Sequence, residues 1–79
     1  RHPWLVCEGD ILLTDGQLRQ RLVEAGVTPE FTWGPEGASL VCDKTTTVKV
    51  KDNRVVVEGE LSETFFKVRK VLYSRFIML

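Results

Sequence analysis

Apolar and polar positions recur with two different periods along this chain, and each change of period marks an element. Trp4-Leu5-Val6-Cys7 is a short apolar run ahead of Glu8-Gly9-Asp10, which predicts a strand. From Thr14 the period lengthens, because Leu18, Leu22 and Ala25 fall on one helical face. Thr14 and Gln17 form a capping-box pattern, Leu13 and Leu18 occupy the staple positions, and Gly26 ends the helix as a left-handed C-terminal residue. After Pro29, Phe31 and Trp33 alternate with Glu30 and Thr32, a half-buried strand expected to place both aromatics in the core. Gly34-Pro35-Glu36-Gly37 is a turn by composition, and Ala38 to Cys42 returns from it as a strand. Asp43-Lys44 interrupts, and Thr45 to Lys51 resumes with β-branched residues at nearly every position.

Asp52-Asn53 is the sharpest local signal, a two-residue loop whose side chains tolerate the positive φ angles of a type I′ turn. Placing Lys51 opposite Arg54 sets Val50 against Val55 and Val48 against Val57, so four valines line one side of the hairpin. Thr47, Lys49, Val56 and Glu58 line the other. Ser62 caps a second helix, with Leu61 stapled to Phe66 and Glu63 one turn from Lys67. Phe65, Val68, Leu72, Phe76 and Leu79 make its buried stripe, and Phe66, Tyr73 and Ile77 make a second apolar stripe on a neighbouring face. The reading is α+β: a small antiparallel sheet of about four strands with two helices, in the order β-α-β-β-β-α, residues 1–79 forming a single domain.

Composition narrows the class. With 79 residues, two cysteines and one histidine, the chain lacks the paired ligand spacing of a zinc site and the cysteine density of a secreted disulfide scaffold. Domains below about 80 residues often lean on disulfides, a metal or a partner chain, so a partner is the support left open. Both cysteines end apolar runs and are expected to pack as small hydrophobes, which favours a reducing compartment. No apolar stretch approaches the roughly 20 residues of a membrane span, so no membrane partner is expected. The chain starts at Arg1 without a methionine and is read as a piece excised from a longer protein. Zero net charge conceals an acidic first half, with three basic and seven acidic residues through Asp43, and a basic second half of opposite net charge.

Catalytic parts are sparse. His2 sits beside a proline and the terminus, the glycines of the 34–37 turn lack the lysine and helix of a phosphate loop, and no second acid or base converges on Glu58 and Glu60. No catalytic, cofactor or metal residue is expected. Lys44, Lys49, Lys51 and Arg54 around the hairpin, with Lys70 on the last helix, are candidate RNA contacts, although zero net charge argues against a general nucleic-acid binder. Partner docking fits more of the pattern, with Val56, Phe66, Tyr73, Ile77 and Met78 as the candidate interface.

The ordered string carries one further signal. Gly26-Val27, Glu30-Phe31, Leu40-Val41-Cys42, Val48-Lys49-Val50, Val57-Glu58-Gly59-Glu60-Leu61, Phe65-Phe66-Lys67-Val68-Arg69 and Leu72-Tyr73 together resemble the C-terminal domain of one family, subunit 2 of the cleavage and polyadenylation specificity factor. The resemblance runs from Leu13 onward and lies in order and spacing, since no single motif is diagnostic. It departs at the first helix, which looks about two residues longer here, at Gly16, where a bulky apolar residue is expected, and at the enlarged turn from Gly34 to Gly37. It implies a nuclear, non-catalytic domain of a catalytically inactive metallo-β-lactamase and β-CASP protein. The implied partners are the C-terminal domain of the endonuclease subunit and a symplekin-type scaffold, in pre-mRNA 3′-end processing, with no cofactor. No family active-site residue lies in this segment.

Overall fold

A computed structural model describes residues 3–77, with side chains described through Leu72. The elements are β1 (Trp4–Asp10), α1 (Asp15–Glu24), β2 (Glu30–Gly34), β3 (Gly37–Val41), β4 (Thr47–Lys51), β5 (Arg54–Glu60) and α2 (Glu63–Ile77). The strands form one five-stranded antiparallel sheet in the order β1-β5-β4-β3-β2. The α+β class and the two helices are as expected, whereas the strand count is one higher, five against about four, and the order is β-α-β-β-β-β-α, with both arms of the Asp52-Asn53 hairpin full members of the sheet. β1 is also longer than the apolar run suggests. Glu8, Gly9 and Asp10 continue its pairing, with Asp10 opposite Arg54.

The hairpin register is the one the valine pattern requires. Lys51 lies opposite Arg54, Val50 opposite Val55 and Val48 opposite Val57. Asp52 and Asn53 have φ of 51° and 65°, the left-handed pair that matches the right-handed twist of the flanking strands. Val48, Val55 and Val57 are fully buried. Each such side chain stabilises the fold by roughly 1.5–3 kcal/mol relative to exposure.

Both helices cover this valine face. Thr14 accepts from the Gln17 N–H at 3.1 Å while Gln17 Oε1 accepts from the Thr14 N–H at 3.0 Å, completing the capping box that starts α1. Leu18 and Leu22 of α1 and Phe65, Val68 and Leu72 of α2 join Ala38, Leu40 and the hairpin valines in one buried cluster. Ser62 Oγ accepts from the Phe65 N–H at 3.1 Å, and Lys67 reaches Glu63 at 3.1 Å across one turn. Leu5 and Cys7 extend the covered face onto β1. Strand alternation therefore leaves the opposite face of the sheet without a helix.

The connection between β3 and β4 is organised by Asp43. Its Oδ1 accepts from the Thr45 N–H at 2.9 Å and the Thr46 N–H at 2.8 Å, while the Cys42 N–H donates to the Thr46 carbonyl at 2.9 Å. Partial burial works to raise the Asp43 pKa, but the two backbone donors outweigh it and hold the carboxyl below its ordinary value of 3.8. A depressed folded-state pKa contributes stability that is complete above that ordinary value and lost as pH falls through the folded one. Asp43→Asn is therefore expected to be less stable than the parent chain at pH 7 by about 1–2 kcal/mol, with a narrower gap at pH 3, below the ordinary carboxyl value of 3.8. Urea unfolding at the two pH values checks this.

Candidate partner interface

The uncovered face of the sheet can be read row by row from the register. Trp4 stands opposite Glu60. The next row runs Val6, Glu58, Thr47, Val41 across β1, β5, β4 and β3. The row after it runs Glu8, Val56, Lys49, Ser39, and the last, beside the turn, Asp10, Arg54, Lys51. Polarity thus grades along the strands, from tryptophan and valines at one end to ion pairs at the other. Trp4 is 57% exposed, Val6 56% and Val41 43%, while Val56 is half-buried between Glu8 and Lys49. With neither helix on this side, these side chains remain in water: Trp4 and Val6 lie along edge strand β1 with Val56 diagonal to Val6, and Val41 lies across the sheet beyond Glu58 and Thr47.

Charges on the face are largely matched within it. Lys49 Nζ lies 3.5 Å from Glu58 and Arg54 lies 3.5 Å from Asp10. The latter pair joins the acidic and basic halves of the chain. Lys49, Arg54 and Asp10 are exposed and Glu58 is half-buried, so each pair contributes at most about 1 kcal/mol. Glu58 and Glu60 lie on an inner strand, not at a sheet edge, because β1 pairs with the far side of β5. The sheet edges are β1 and β2.

The candidate residues separate onto different surfaces. Val56, Lys49, Lys51 and Arg54 share the open face, Lys44 sits in the β3–β4 connection, and Lys70 is on α2 in the helical layer. The basic residues therefore do not form one patch. Phe66, 51% exposed on the first turns of α2, meets Phe65 edge-on at 6.4 Å and belongs to the helical layer, on the far side of the sheet from Val56. Tyr73 and Ile77 lie on α2, but their side chains, and Met78 entirely, fall outside the described residues, as do His2, the side chain of Phe76 and all of Leu79.

Trp4 and Val6 were hidden by the uniform apolarity of their run. The signal that could have exposed them is the polar continuation, since Glu8 and Asp10 share their side of β1. Trp33 is a correction. Expected in the core, it is 64% exposed at the end of edge strand β2, stacked on Phe31 at 5.1 Å with its indole N–H donating to Asp15 Oδ2 at 3.2 Å. The helices do not reach over that corner of the sheet, so only Phe31 of the pair packs against the core. Both cysteines pack against the core as expected. Burial, then the neighbouring Asp43 charge, pushes the Cys42 thiol up to about 11, so it stays protonated and is a poor nucleophile at neutral pH.

Comparison with known proteins gives a consistent result. The family described as cleavage and polyadenylation factor 2 C-terminal matches residues 5–76. Among curated relatives, the cleavage and polyadenylation specificity factor subunit 2 of Oryza sativa subsp. japonica is 33% identical over 84 aligned positions. The alignment covers 94% of this chain and 11% of that protein, so the chain spans about a tenth of the relative's length. No solved structure matches.

Proposed function

The chain belongs to the family of cleavage and polyadenylation factor 2 C-terminal regions, and from that premise we propose that it is a non-catalytic docking domain of the pre-mRNA 3′-end processing machinery. Its partner is the C-terminal domain of the endonuclease subunit. The pair operates in the nucleus and is held with a symplekin-type scaffold. The observation that supports this reading is the sheet face bearing Trp4, Val6 and Val41, which both helices leave uncovered. A stable protein pair buries about 800 Å² on each partner, and exposed aromatic side chains are enriched in such interfaces. Tryptophan is a frequent energetic anchor of such contacts.

The interface lies on the sheet face, with Val56 in it; Phe66, on the helical layer, marks a second contact region, with which the sequence pattern groups Tyr73, Ile77 and Met78. RNA contact through Lys49, Lys51 and Arg54 draws less support, because Glu58 and Asp10 already balance two of the three charges. Light scattering after co-expression with the endonuclease subunit's C-terminal domain tests the proposal. A one-to-one complex is expected, and separate elution of two folded species at micromolar concentration overturns it. A salt-dependent RNA affinity retained without the heterodimer would favour the RNA reading.

A further inference from the structure

Matching of charge on the open face stops short of the end that carries Trp4, and that end has a chemistry of its own. Strand register fixes it. Trp4 stands opposite Glu60 and Val6 opposite Glu58, with Glu8 next along β1 on the same side. Leu5 and Cys7 of β1 take the covered side, as do the buried Val55 and Val57 of β5. Opposed residues of an antiparallel pair have Cβ atoms about 4.5–5.5 Å apart and diagonal ones lie about 7–8 Å apart, so Glu60 is beside the indole and Glu58 one row away. Just past this pair the Leu61 N–H donates to the Pro3 carbonyl at 3.1 Å, which holds the register at the strand end.

Three carboxylates therefore border Trp4 and Val6, and Lys49 answers one of them, Glu58. Among the described residues, Glu60 and Glu8 form no ion pair. The other cations of the face, Lys51 and Arg54, stand in the row beside the Asp52-Asn53 turn. Arg54 is six residues along β5 from Glu60, about 20 Å at the rise of a strand, which exceeds the screening length of about 8–10 Å at ordinary salt. The Trp4 end is thus net negative. It repels phosphate, and a wholly apolar occupant would strip water from Glu60 without replacing it. A guanidinium meets both demands: it lies flat on an indole that is 57% exposed and offers its fork of donors to the neighbouring carboxylate. We infer that an arginine of the docked partner domain lies against Trp4 and pairs with Glu60. This rests on the sheet face being the docking surface and adds what the partner brings to it.

Calorimetric titration of the full 79-residue chain with the endonuclease subunit's C-terminal domain provides the test. Glu60→Gln removes the charge at nearly constant volume and is expected to weaken binding about tenfold. Glu36→Gln removes the same charge from the exposed turn between β2 and β3, and should change affinity less than about twofold. Glu60→Arg should weaken binding about a hundredfold, and reversing one arginine of the partner domain to glutamate should restore most of that loss. Parent affinity in Glu60→Gln, with weak binding in Trp4→Ala, overturns the inference and leaves the docking face in place. Absence of any complex with the parent chain overturns the docking reading as well. Rescue confined to partner lysines overturns the inference, as does self-association of the chain that Glu60→Gln abolishes, which would put a second copy in the partner's place.

Discussion

Gly59→Ala should remove about 3 kcal/mol of stability, near the upper end of what forcing extra volume into a packed site costs. Gly59 is buried on β5 with φ of 157°, and a Cβ added there would lie 2.5 Å from the Thr45 carbonyl oxygen and 2.8 Å from Thr46 Cα. Both obstacles are backbone. They belong to the loop held closed by Asp43, so relief requires breaking the hydrogen bonds to Thr45 and Thr46 or bending a strand that is paired on both sides. Urea unfolding of the variant, compared with Gly16→Ala, separates this clash from a general effect of losing glycine. Nothing lies within 4 Å of a Cβ at Gly16, so that substitution should leave stability equal or improve it by up to about 1 kcal/mol. A Gly59→Ala chain as stable as its parent would show that the loop does not press on β5.

The second large effect concerns the open face. Trp4→Ala combined with Val6→Glu should weaken association with the endonuclease subunit's C-terminal domain at least about a hundredfold, a loss of about 2.7 kcal/mol. Both side chains are more than half exposed, so the unfolding free energy of the isolated chain should change by no more than about 0.5 kcal/mol. Calorimetric titration gives the first quantity and denaturation the second. Unchanged affinity would move the interface to the helical layer around Phe66.

Legibility in the sequence followed the range over which each feature is determined. The Asp52-Asn53 hairpin, its register and the valine face were readable because turn chemistry and two-residue alternation act within a dozen residues. The capping box of α1 and the serine cap of α2 were readable for the same reason. β1 was only half legible: its pairing partner is remote in sequence, and Glu8-Gly9-Asp10 looks like a loop until β5 lies beside it. The same remoteness concealed which side of Trp4 and Val6 faces water. Trp33 resembled a core residue because alternation places it on the covered side, and nothing local announces that the helical cover stops short. Gly59 is one residue of the string that carries the family resemblance, and nothing near it in the sequence says why a glycine stands there. The reason is the approach of a loop more than ten positions earlier, which no local pattern encodes.

The placement of β1 also bears on the order in which the molecule assembles. Strands β2 to β5 form a meander of neighbours joined by short turns, so their contacts close small loops. β1 instead pairs with β5, and even the partners nearest in sequence, Asp10 and Arg54, are 44 positions apart. Closing the longer loop carries the greater entropic cost, which favours a transition state built on the hairpins and α2, with β1 added on the downhill side. The strand that supplies Trp4 and Val6 is then the last to arrive. Until it does, β5 presents an unpaired edge, and the chain reaches its least aggregation-prone form only when its docking surface is complete.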